Sequence, residues 1–523
     1  MERKLSALII VAGLALVGCS TTAAPPATAT PGSFAQSPVP FEETLVAFEV
    51  ELEAVRQELK IPGMSAAIVR DGQLIWARGF GYADAENQIP AGPDTPYHLA
   101  SVTKPFAAVI IMQLVQEGKL SLDDPVSRYG VLVPEGDKVL VRHLLSHTSD
   151  GTPGQRYEYN GDRYALLSQV IQAATGRSLQ EWLFERILQP LGMDDTAPSI
   201  AGCTGLPFAP TCERVCKALA LPYRLYENVD LVPGYYYPGF SAAAGLISTV
   251  IDLAKFDAAL DANTLVTAAT KELMWTPTVS NSGQKLPYGL GWFTQSYRGV
   301  RLIWHYGHWP PSVSSLLVKI PDEELTFIVL ANTDGLSAPF QLASGDIMIS
   351  LVALTFYKDF FLAPRYGEPF PAIDWSGDSS TAQKLIDQVQ DEAVRELLTR
   401  EHQARRWVAT VLSPSKQQAG PVAGKRVRDQ ELAERIDPKT LDAYVGEYEI
   451  EEFGETLSVS RVQGRLYVQE LGIGRTELLP LSETRFFVII DAEVLIEFTF
   501  SEANQVTGMV VTKNGQSFVA KRK

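Results

Sequence analysis

The sequence contains few of the residues on which metal, redox and nucleic-acid chemistry depend. Its 523 residues include only 4 cysteines and 6 histidines, and it has neither a Walker loop nor a Rossmann glycine pattern. Acidic residues outnumber basic ones by 61 to 45, which gives a formal net charge of −16 and leaves no basic stripe. This balance argues against a nucleic-acid partner, and the missing motifs predict that the protein uses no metal and no cofactor.

The first 40 residues have the composition of an export signal followed by a tether. Arg3 and Lys4 precede an apolar run over residues 5–17 that is too short to span a bilayer comfortably. The run ends in Leu16-Val17-Gly18-Cys19, which resembles a bacterial lipoprotein cleavage box with Cys19 as the acylated residue. Residues 19–40 are rich in Thr, Ala and Pro, as a flexible tether is. We expect a signal peptide over 1–18 and a lipid-anchored chain in the bacterial cell envelope, with a plain secretory signal as the alternative.

The other three cysteines, Cys203, Cys212 and Cys216, lie in one stretch of the chain. In an oxidising compartment they allow one disulfide in any of three pairings and leave one thiol over. A metal site is the weaker interpretation, because no histidine is near and the spacing is not that of a zinc knuckle. The sequence does not choose among the three pairings.

Hydrophobic periodicity predicts an α+β region followed by a β-rich region. A hairpin with Asp71-Gly72 as its turn lies near the start, and apolar strands over 314–320 and 325–331 lie near the end of the first region. Helical patterns lie between them, which predicts one antiparallel sheet flanked by helices. Residues 197–237 are rich in Pro, Tyr and Gly, and we expect an irregular insertion there.

The C-terminal part has a different character. Residues 365–436 are charged, helix-periodic and end in a linker, whereas short alternating strands dominate residues 437–523. This second pattern is typical of a small β-barrel or sandwich. We therefore predict a catalytic domain over 41–364, a helical and linker segment, and a small β-barrel-like domain.

Ser101 and Lys104 stand at the start of the most apolar helix that the sequence predicts, over residues 102–117. Three positions apart, they share one helix face. A serine becomes a nucleophile when a base removes its proton, and a lysine can be that base if burial and a helix N-terminus lower its pKa. Ser-x-x-Lys is common by chance, so the rest of the chain has to decide its meaning.

Four further stretches follow Ser101-x-x-Lys104 along the chain. They are Leu144-Leu145-Ser146-His147-Thr148-Ser149, Pro153-Gly154-x-x-Tyr157-x-Tyr159, Tyr288-Gly289-Leu290-Gly291-Trp292 and His305-Tyr306-Gly307. With these five stretches in this order, the region 41–338 resembles the β-lactamase and penicillin-binding serine hydrolases. The resemblance is to the branch of class C β-lactamases, D,D-carboxypeptidases, D-aminopeptidases and esterases. The C-terminal region resembles the small barrel-like domain that is often appended to these hydrolases.

The resemblance implies a catalytic role for four residues. Ser101 would carry the acyl group, and Lys104 would take or relay its proton. Tyr159 would pass a proton to the leaving group, with a pKa lowered by neighbouring cations. His305 would begin the third motif, on a strand that faces Ser101.

The same resemblance implies the substrate-binding side of the site. The N–H groups of Ser101 and His308 would form the oxyanion hole, and Gly307 would allow a close approach of backbone and substrate. The second motif departs from the family pattern, because Gly161 stands where the family has Asn. Asn160 is one position early and would replace that side chain only if the loop were shifted. His147, His98 and His143 are expected to be structural.

These residues predict a serine hydrolase that acts on an ester, an amide or a short peptide, possibly of D-amino acids. Gly161 and an uncharged His305 weaken the case for efficient β-lactam or D-Ala-D-Ala chemistry. The alternative is a catalytically degenerate fold that binds or senses cell-wall fragments. An α/β-hydrolase is excluded, because Gly239-Phe240-Ser241-Ala242-Ala243 lacks the final glycine of a nucleophile elbow.

Overall fold

The structure is a computed structural model. It describes residues 41–523 except for 200–202, 204, 227–229, 236–238, 367–369, 414–435, 451–454, 463, 471–473, 489–490, 504 and 514–515. The expected signal peptide, the tether with Cys19 and most of the expected linker therefore lie outside the described residues.

Helices and strands alternate through the first region, and strands dominate the last. The α-helices are α1 (Phe41–Glu58), α2 (Thr103–Gln116), α3 (Val141–Leu145), α4 (Gly161–Ala165), α5 (Leu167–Thr175), α6 (Leu179–Leu183), α7 (Ala209–Ala218), α8 (Val250–Asp261), α9 (Ala268–Trp275), α10 (Leu351–Tyr357), α11 (Ala363–Tyr366), α12 (Ser379–Gln388), α13 (Glu392–Val411) and α14 (Pro438–Ala443). The strands of the first region are β1 (Gly63–Arg70), β2 (Gln73–Asp84), β3 (Ile89–Pro90), β4 (Tyr97–His98), β5 (Ala197–Pro198), β6 (Tyr223–Tyr226), β7 (Asp230–Pro233), β8 (Leu246–Ser248), β9 (Phe293–Tyr297), β10 (Val300–Trp309), β11 (Val313–Ile320) and β12 (Leu325–Ala331). Those of the last region are β13 (Gly446–Ile450), β14 (Glu455–Val462), β15 (Arg465–Glu470), β16 (Gly474–Pro480), β17 (Arg485–Val488), β18 (Asp491–Phe500), β19 (Val506–Lys513) and β20 (Gln516–Arg522).

The main sheet is antiparallel and is closed by the two ends of the first region. In the described part of the chain it has seven strands in the order β3-β2-β1-β12-β11-β10-β9. β1 pairs along its length with β12, so the first and last strands of the region are neighbours. Strands β13–β20 form a closed barrel. The predicted fold class, an antiparallel sheet with flanking helices and a small barrel, is confirmed.

The β1–β2 hairpin follows directly from its turn residues. Asp71 and Gly72 have φ values of 52° and 69°. Two successive residues with positive φ are what a two-residue hairpin turn of type I′ requires, and Asp-Gly tolerates this conformation at little steric cost. The predicted hairpin is therefore found at its predicted position.

Helix α2 is the buried centre of the first region. Most of its side chains are buried, among them Lys104, and they pack in the large apolar core on one side of the sheet. A helix that is apolar on all faces is stable only when it is covered on all faces. Gly118, with a φ of 68°, lies just past its end, where a left-handed residue stops a helix. A 3₁₀ turn over Ala100–Val102 leads into the helix.

The stretch 197–237 is more regular than its composition predicts. It contains helix α7 and the hairpin β6–β7, so the expectation of an irregular insertion was wrong for these residues. Each of the two strands has four residues, too few for an alternation to stand out from a Pro- and Tyr-rich background. The structure pairs Cys203 with Cys212, and the buried Cys216 keeps its thiol.

Strand β10 lies directly against the chain segment that precedes Ser101. A Cβ atom on Gly307 would lie 2.1 Å from the carbonyl oxygen of Leu99 and 2.2 Å from Oγ of Ser315. Ser315, the partner of Gly307 in β11, donates a hydrogen bond of 2.6 Å to the same carbonyl oxygen. Glycine at position 307 is therefore what allows the sheet to meet the Ser101 turn.

We expect Gly307→Ala to push β10 away from the Ser101 turn. Because the added methyl group meets backbone atoms that have little room to move, the free energy of unfolding should fall by about 2 kcal/mol or more. Chemical denaturation followed by tryptophan fluorescence measures this change. The matched control is Gly161→Ala, since a Cβ atom there meets nothing within 4 Å. Equal stabilities of the two variants would contradict the close approach.

Candidate active site

Ser101 and Lys104 are in direct contact where the 3₁₀ turn runs into α2. Nζ of Lys104 donates a hydrogen bond of 2.7 Å to Oγ of Ser101 and another of 3.1 Å to the carbonyl oxygen of Ala243. Ala243 belongs to the stretch that resembles an incomplete nucleophile elbow, and it contributes only a backbone oxygen. The contact places a nucleophile and a candidate base within one hydrogen bond of each other.

Burial decides the charge of Lys104. Only 1% of the residue is exposed, and loss of hydration lowers the pKa of its amine from 10.5 to about 7. Both hydrogen-bond partners of Nζ are neutral oxygens, so neither offsets this loss with a full negative charge. At neutral pH a large share of the molecules therefore carries an uncharged amine, which can accept the proton of Ser101.

A strained turn holds Ser101 in place. Ala100, the residue before the nucleophile, has a φ of 46°, which a residue with a side chain rarely adopts. Its N–H donates a hydrogen bond of 3.0 Å to Nδ1 of His98, and its carbonyl oxygen accepts one of 2.7 Å from Thr103. His98, which the sequence assigned to a structural role, thus stabilises the backbone that presents the serine.

Tyr159 lies beside this pair, but its pKa moves in the opposite direction from the expected one. Nζ of Lys104 is 4.9 Å from the centre of its ring. Burial is the largest influence and, with Tyr306, raises the pKa of the Tyr159 phenol well above 10, whereas Ser101 acts to lower it. Among the described residues the buried hydroxyl makes no hydrogen bond of normal geometry. The expected lowering of the Tyr159 pKa was wrong, because burial and then the neighbouring Tyr306 raise it.

His147 positions the segment that carries Tyr159. Its ring centre is 4.3 Å from that of Tyr159, and its Nδ1 accepts a hydrogen bond of 3.1 Å from the N–H of Asn160. Its own carbonyl oxygen accepts one of 2.8 Å from Glu158. His147 is fully buried, and burial first, then Lys104, holds its pKa well below 6.5. The residue is therefore neutral and acts on Tyr159 through position.

The side chain of Asn160 makes hydrogen bonds to neighbouring parts of the protein. Its Oδ1 accepts a hydrogen bond of 3.0 Å from the N–H of Arg163, which makes it the N-cap of α4. Its Nδ2 donates one of 3.1 Å to Asp150. Both ends of the side chain are thus engaged within the protein, which argues against the predicted role of Asn160 in substrate binding. Gly161 leaves open space where the family has an Asn side chain.

His305 lies in the site as a neutral ring whose two nitrogens are both engaged. Nδ1 is 2.7 Å from the carbonyl oxygen of Tyr306, and Nε2 is 2.8 Å from the hydroxyl of Tyr288. Because a carbonyl oxygen can only accept a hydrogen bond, Nδ1 carries the proton of the neutral ring. Nε2 therefore accepts a hydrogen bond from the hydroxyl of Tyr288. Burial and then Lys104 hold the pKa of His305 well below 6.5. Tyr288 was not predicted from the sequence to be a site residue, although it begins the family-like stretch Tyr288-Gly289-Leu290-Gly291-Trp292.

The end of β10 carries Gly307 and His308, which the resemblance assigns to the oxyanion side of the site. The carbonyl oxygen of Gly307 accepts a hydrogen bond of 3.0 Å from Ser337, and His308 is paired with Ser314 of β11. Nε2 of His308 is 3.7 Å from the carboxylate of Asp334. These contacts fix the backbone of β10 next to the Ser101 turn, where the resemblance places the oxyanion hole.

Comparison with known proteins gives two family matches. The model of the family described as Beta-lactamase matches residues 51–347, and that of a Domain of unknown function (DUF3471) matches residues 431–520. A penicillin-binding protein of Bacillus subtilis (strain 168) is 25% identical over 476 residues, which cover 82% of this chain and 88% of that protein. An unguisins hydrolase of Aspergillus campestris is 30% identical over 341 residues, which cover 54% of this chain and 61% of that protein.

A solved structure has the same fold. The octameric penicillin-binding protein homologue from Pyrococcus abyssi matches with a TM-score of 0.52 at 22% identity, over 91% of this chain and 100% of that one. Among the described residues, no helix is long and apolar enough to cross a membrane. Since the β-lactamase model spans more than half of the chain, including Ser101, Lys104 and Tyr159, the chain belongs to the β-lactamase family of serine hydrolases.

Proposed function

We propose that this protein forms an acyl-enzyme on Ser101 and hydrolyses an ester, an amide or a short peptide bond, D-amino-acid peptides included. The observation that carries the proposal is the 2.7 Å hydrogen bond between Lys104 and Ser101, with a lysine whose pKa burial lowers to about 7. The relative named as an unguisins hydrolase supports hydrolysis.

The proposed reaction uses Lys104 as the base. Its neutral amine takes the proton of Ser101 as Oγ attacks the carbonyl carbon of the substrate. The N–H groups of Ser101 and His308 stabilise the oxygen that becomes negative. When the intermediate collapses, Tyr159 donates its phenolic proton to the leaving group and takes in its place the proton that Lys104 received from Ser101. Water then attacks the acyl carbon by the reverse of these steps and releases Ser101.

The charge around Ser101 favours an uncharged acyl group. Burial keeps His305 and His147 neutral, and it removes the charge of Lys104 from a large share of the molecules at neutral pH. Without a fixed cation among these three groups, a substrate carboxylate at the acyl end would lose hydration with no matching charge. The proposal therefore favours neutral esters, amides and peptides over anionic ones.

A binding or sensing role without catalysis is the second candidate. It is favoured by Gly161, which lacks the amide side chain of the family motif, and by Asn160, whose side chain is engaged as a helix cap. The contact between Ser101 and Lys104 favours catalysis, because a binding protein has no use for a buried lysine at its nucleophile. Covalent labelling separates the two candidates.

We expect a fluorophosphonate probe to label Ser101 at a rate that depends on the charge of Lys104. Since the amine must be neutral, the rate should be constant above the pKa of about 7 and fall roughly tenfold for each pH unit below it. Lys104→Met should slow labelling by roughly a hundredfold to ten-thousandfold. The rate is measured by gel fluorescence, and the labelled residue by mass spectrometry.

The control for this experiment is Lys217→Met, because Lys217 is paired with Glu213 on the exposed surface of α7. It should leave both the rate and its pH dependence unchanged. A wild-type protein that is folded but unlabelled at every pH would contradict the hydrolase proposal and favour binding. Labelling that is independent of pH between 5 and 9 would remove Lys104 as the base.

Gly161→Asn should restore a hydrogen bond to the amide of a substrate. A Cβ atom at this position would meet nothing within 4 Å, and Gly161 does not adopt a left-handed φ. One added hydrogen bond of about 1 kcal/mol should raise kcat/KM for an amide or a β-lactam by roughly fivefold. An ester that lacks the amide should change little. Gly161→Ala serves as the control, and an equal gain on ester and amide would contradict this role.

We also propose that the chain is exported and acylated on Cys19, in keeping with the sequence at residues 16–19. Cells that express the protein and are grown with labelled palmitate should incorporate the label into it. Cys19→Ser should abolish incorporation, whereas Cys216→Ser, in the folded region, should retain it. Incorporation that survives Cys19→Ser would disprove this site of acylation.

A further inference from the structure

The outer face of β15 and β16 is polar, yet it is buried. Along these strands Leu466, Val468 and Leu478 point into the core of the barrel. Side chains alternate between the two faces of a strand, so the residues between the inward-pointing ones point outwards. These are Tyr467, Arg475 and Glu477. They are nevertheless only 0%, 5% and 3% exposed. An outward polar face that is this deeply covered is an interface with another part of the protein.

The covering element is the hairpin β6–β7 of the first region. Nη2 of Arg224, in β6, donates a hydrogen bond to the carboxylate of Glu477, which also accepts one of 2.6 Å from Arg465 of the barrel. Arg475 donates another across the same interface to Glu86, in the segment after β2. The side chains of Arg224 and Glu477 are 10% and 4% exposed, so salt screens this pair little.

Both ends of the same hairpin are attached to the walls of the Ser101 site. On the side that leads into β6, Leu219 packs against the apolar cluster that Ala100, the residue before the nucleophile, forms with Val313 of β11. On the side that leaves β7, the N–H of Tyr235 donates a hydrogen bond of 2.8 Å to Ser312. Ser312 lies in the turn that joins β10 to β11, four residues after His308.

The close packing at that turn allows little independent movement. A Cβ atom on Gly234 would lie only 2.3 Å from Oγ of Ser312. The N–H of Tyr223, at the start of β6, donates a hydrogen bond of 2.7 Å to Asn332, which follows β12. A displacement of the hairpin would therefore move the β10–β11 turn with it.

We propose that Arg224 is a positioning residue for catalysis: through its pair with Glu477, the barrel holds the hairpin that fixes the Ala100–Ser101 turn and the end of β10. The inference rests on the proposed function, because those two segments carry the N–H groups assigned to the oxyanion hole. The barrel thus acts on the reaction without contacting the substrate. Its orientation relative to the first region determines how well the two donors converge.

The test compares Arg224→Met, Glu477→Gln and the double variant with the wild-type full-length protein. For an activated ester, kcat should fall roughly tenfold or more in each single variant while KM changes little, since oxyanion donors act mainly in the transition state. The double variant should be no slower than the slower single variant, because both substitutions remove one interaction. Arg224→Lys should recover part of the lost kcat.

The matched control is Arg485→Met, which removes a solvent-exposed ion pair with Glu497 within the barrel. It should leave kcat unchanged. The unfolding temperature of every variant is measured as well. Variants that are less stable but turn over the ester at the wild-type kcat per folded molecule would show a merely structural pair and overturn the proposal.

Hydrogen exchange separates this inference from the proposed function. In Arg224→Met and Glu477→Gln, protection should fall in residues 219–226 and also in residues 309–314, whether or not the protein hydrolyses the ester. Loss of protection confined to the barrel and the hairpin, with residues 309–314 unchanged, would overturn the coupling. A wild-type protein that does not react at Ser101 would instead overturn the proposed function.

Discussion

The structure depends on one costly burial, that of the Lys104 amine beside Ser101. A pKa lowered from 10.5 to about 7 means that the fold disfavours the charged form by roughly 5 kcal/mol. Helix α2 tolerates this burial because most of its other side chains are apolar and pack in the core. The same packing that stabilises the helix thus removes water from the lysine and leaves an amine that is partly uncharged at neutral pH.

Burial acts on the other titratable groups of the site in a consistent way. It favours the neutral form of each one, which lowers the pKa of His147 and His305 and raises that of Tyr159. A neutral Lys104 is a base, whereas a neutral Tyr159 is a proton donor, so one physical cause separates the two roles. The site needs no carboxylate to assign them.

Much of the fold followed from local signals. The Asp71-Gly72 turn, the apolar run of α2 and the strand over 325–331 were predictable because each carries its own turn chemistry or periodicity. Helix α7 and the hairpin β6–β7 were not, since their strands are short and their contacts come from distant parts of the chain. Arg224 donates a hydrogen bond to Glu477, which lies 253 positions further along the chain, and no local sequence pattern predicts such a pair.

The candidate site likewise has features that the sequence predicts and features that depend on the tertiary structure. The sequence by itself determined the chemical groups and their order along the chain, which resembles that of one family. These groups are a serine and a lysine one helical turn apart, a tyrosine, and a strand that contains His305 and Gly307. Only the tertiary structure decided the charge of each group, because hydration depends on what covers a side chain. It also decided that Asn160 caps a helix, that Tyr288 holds His305, and that Cys203 pairs with Cys212, since each of these contacts depends on the path that the folded chain takes between the two residues.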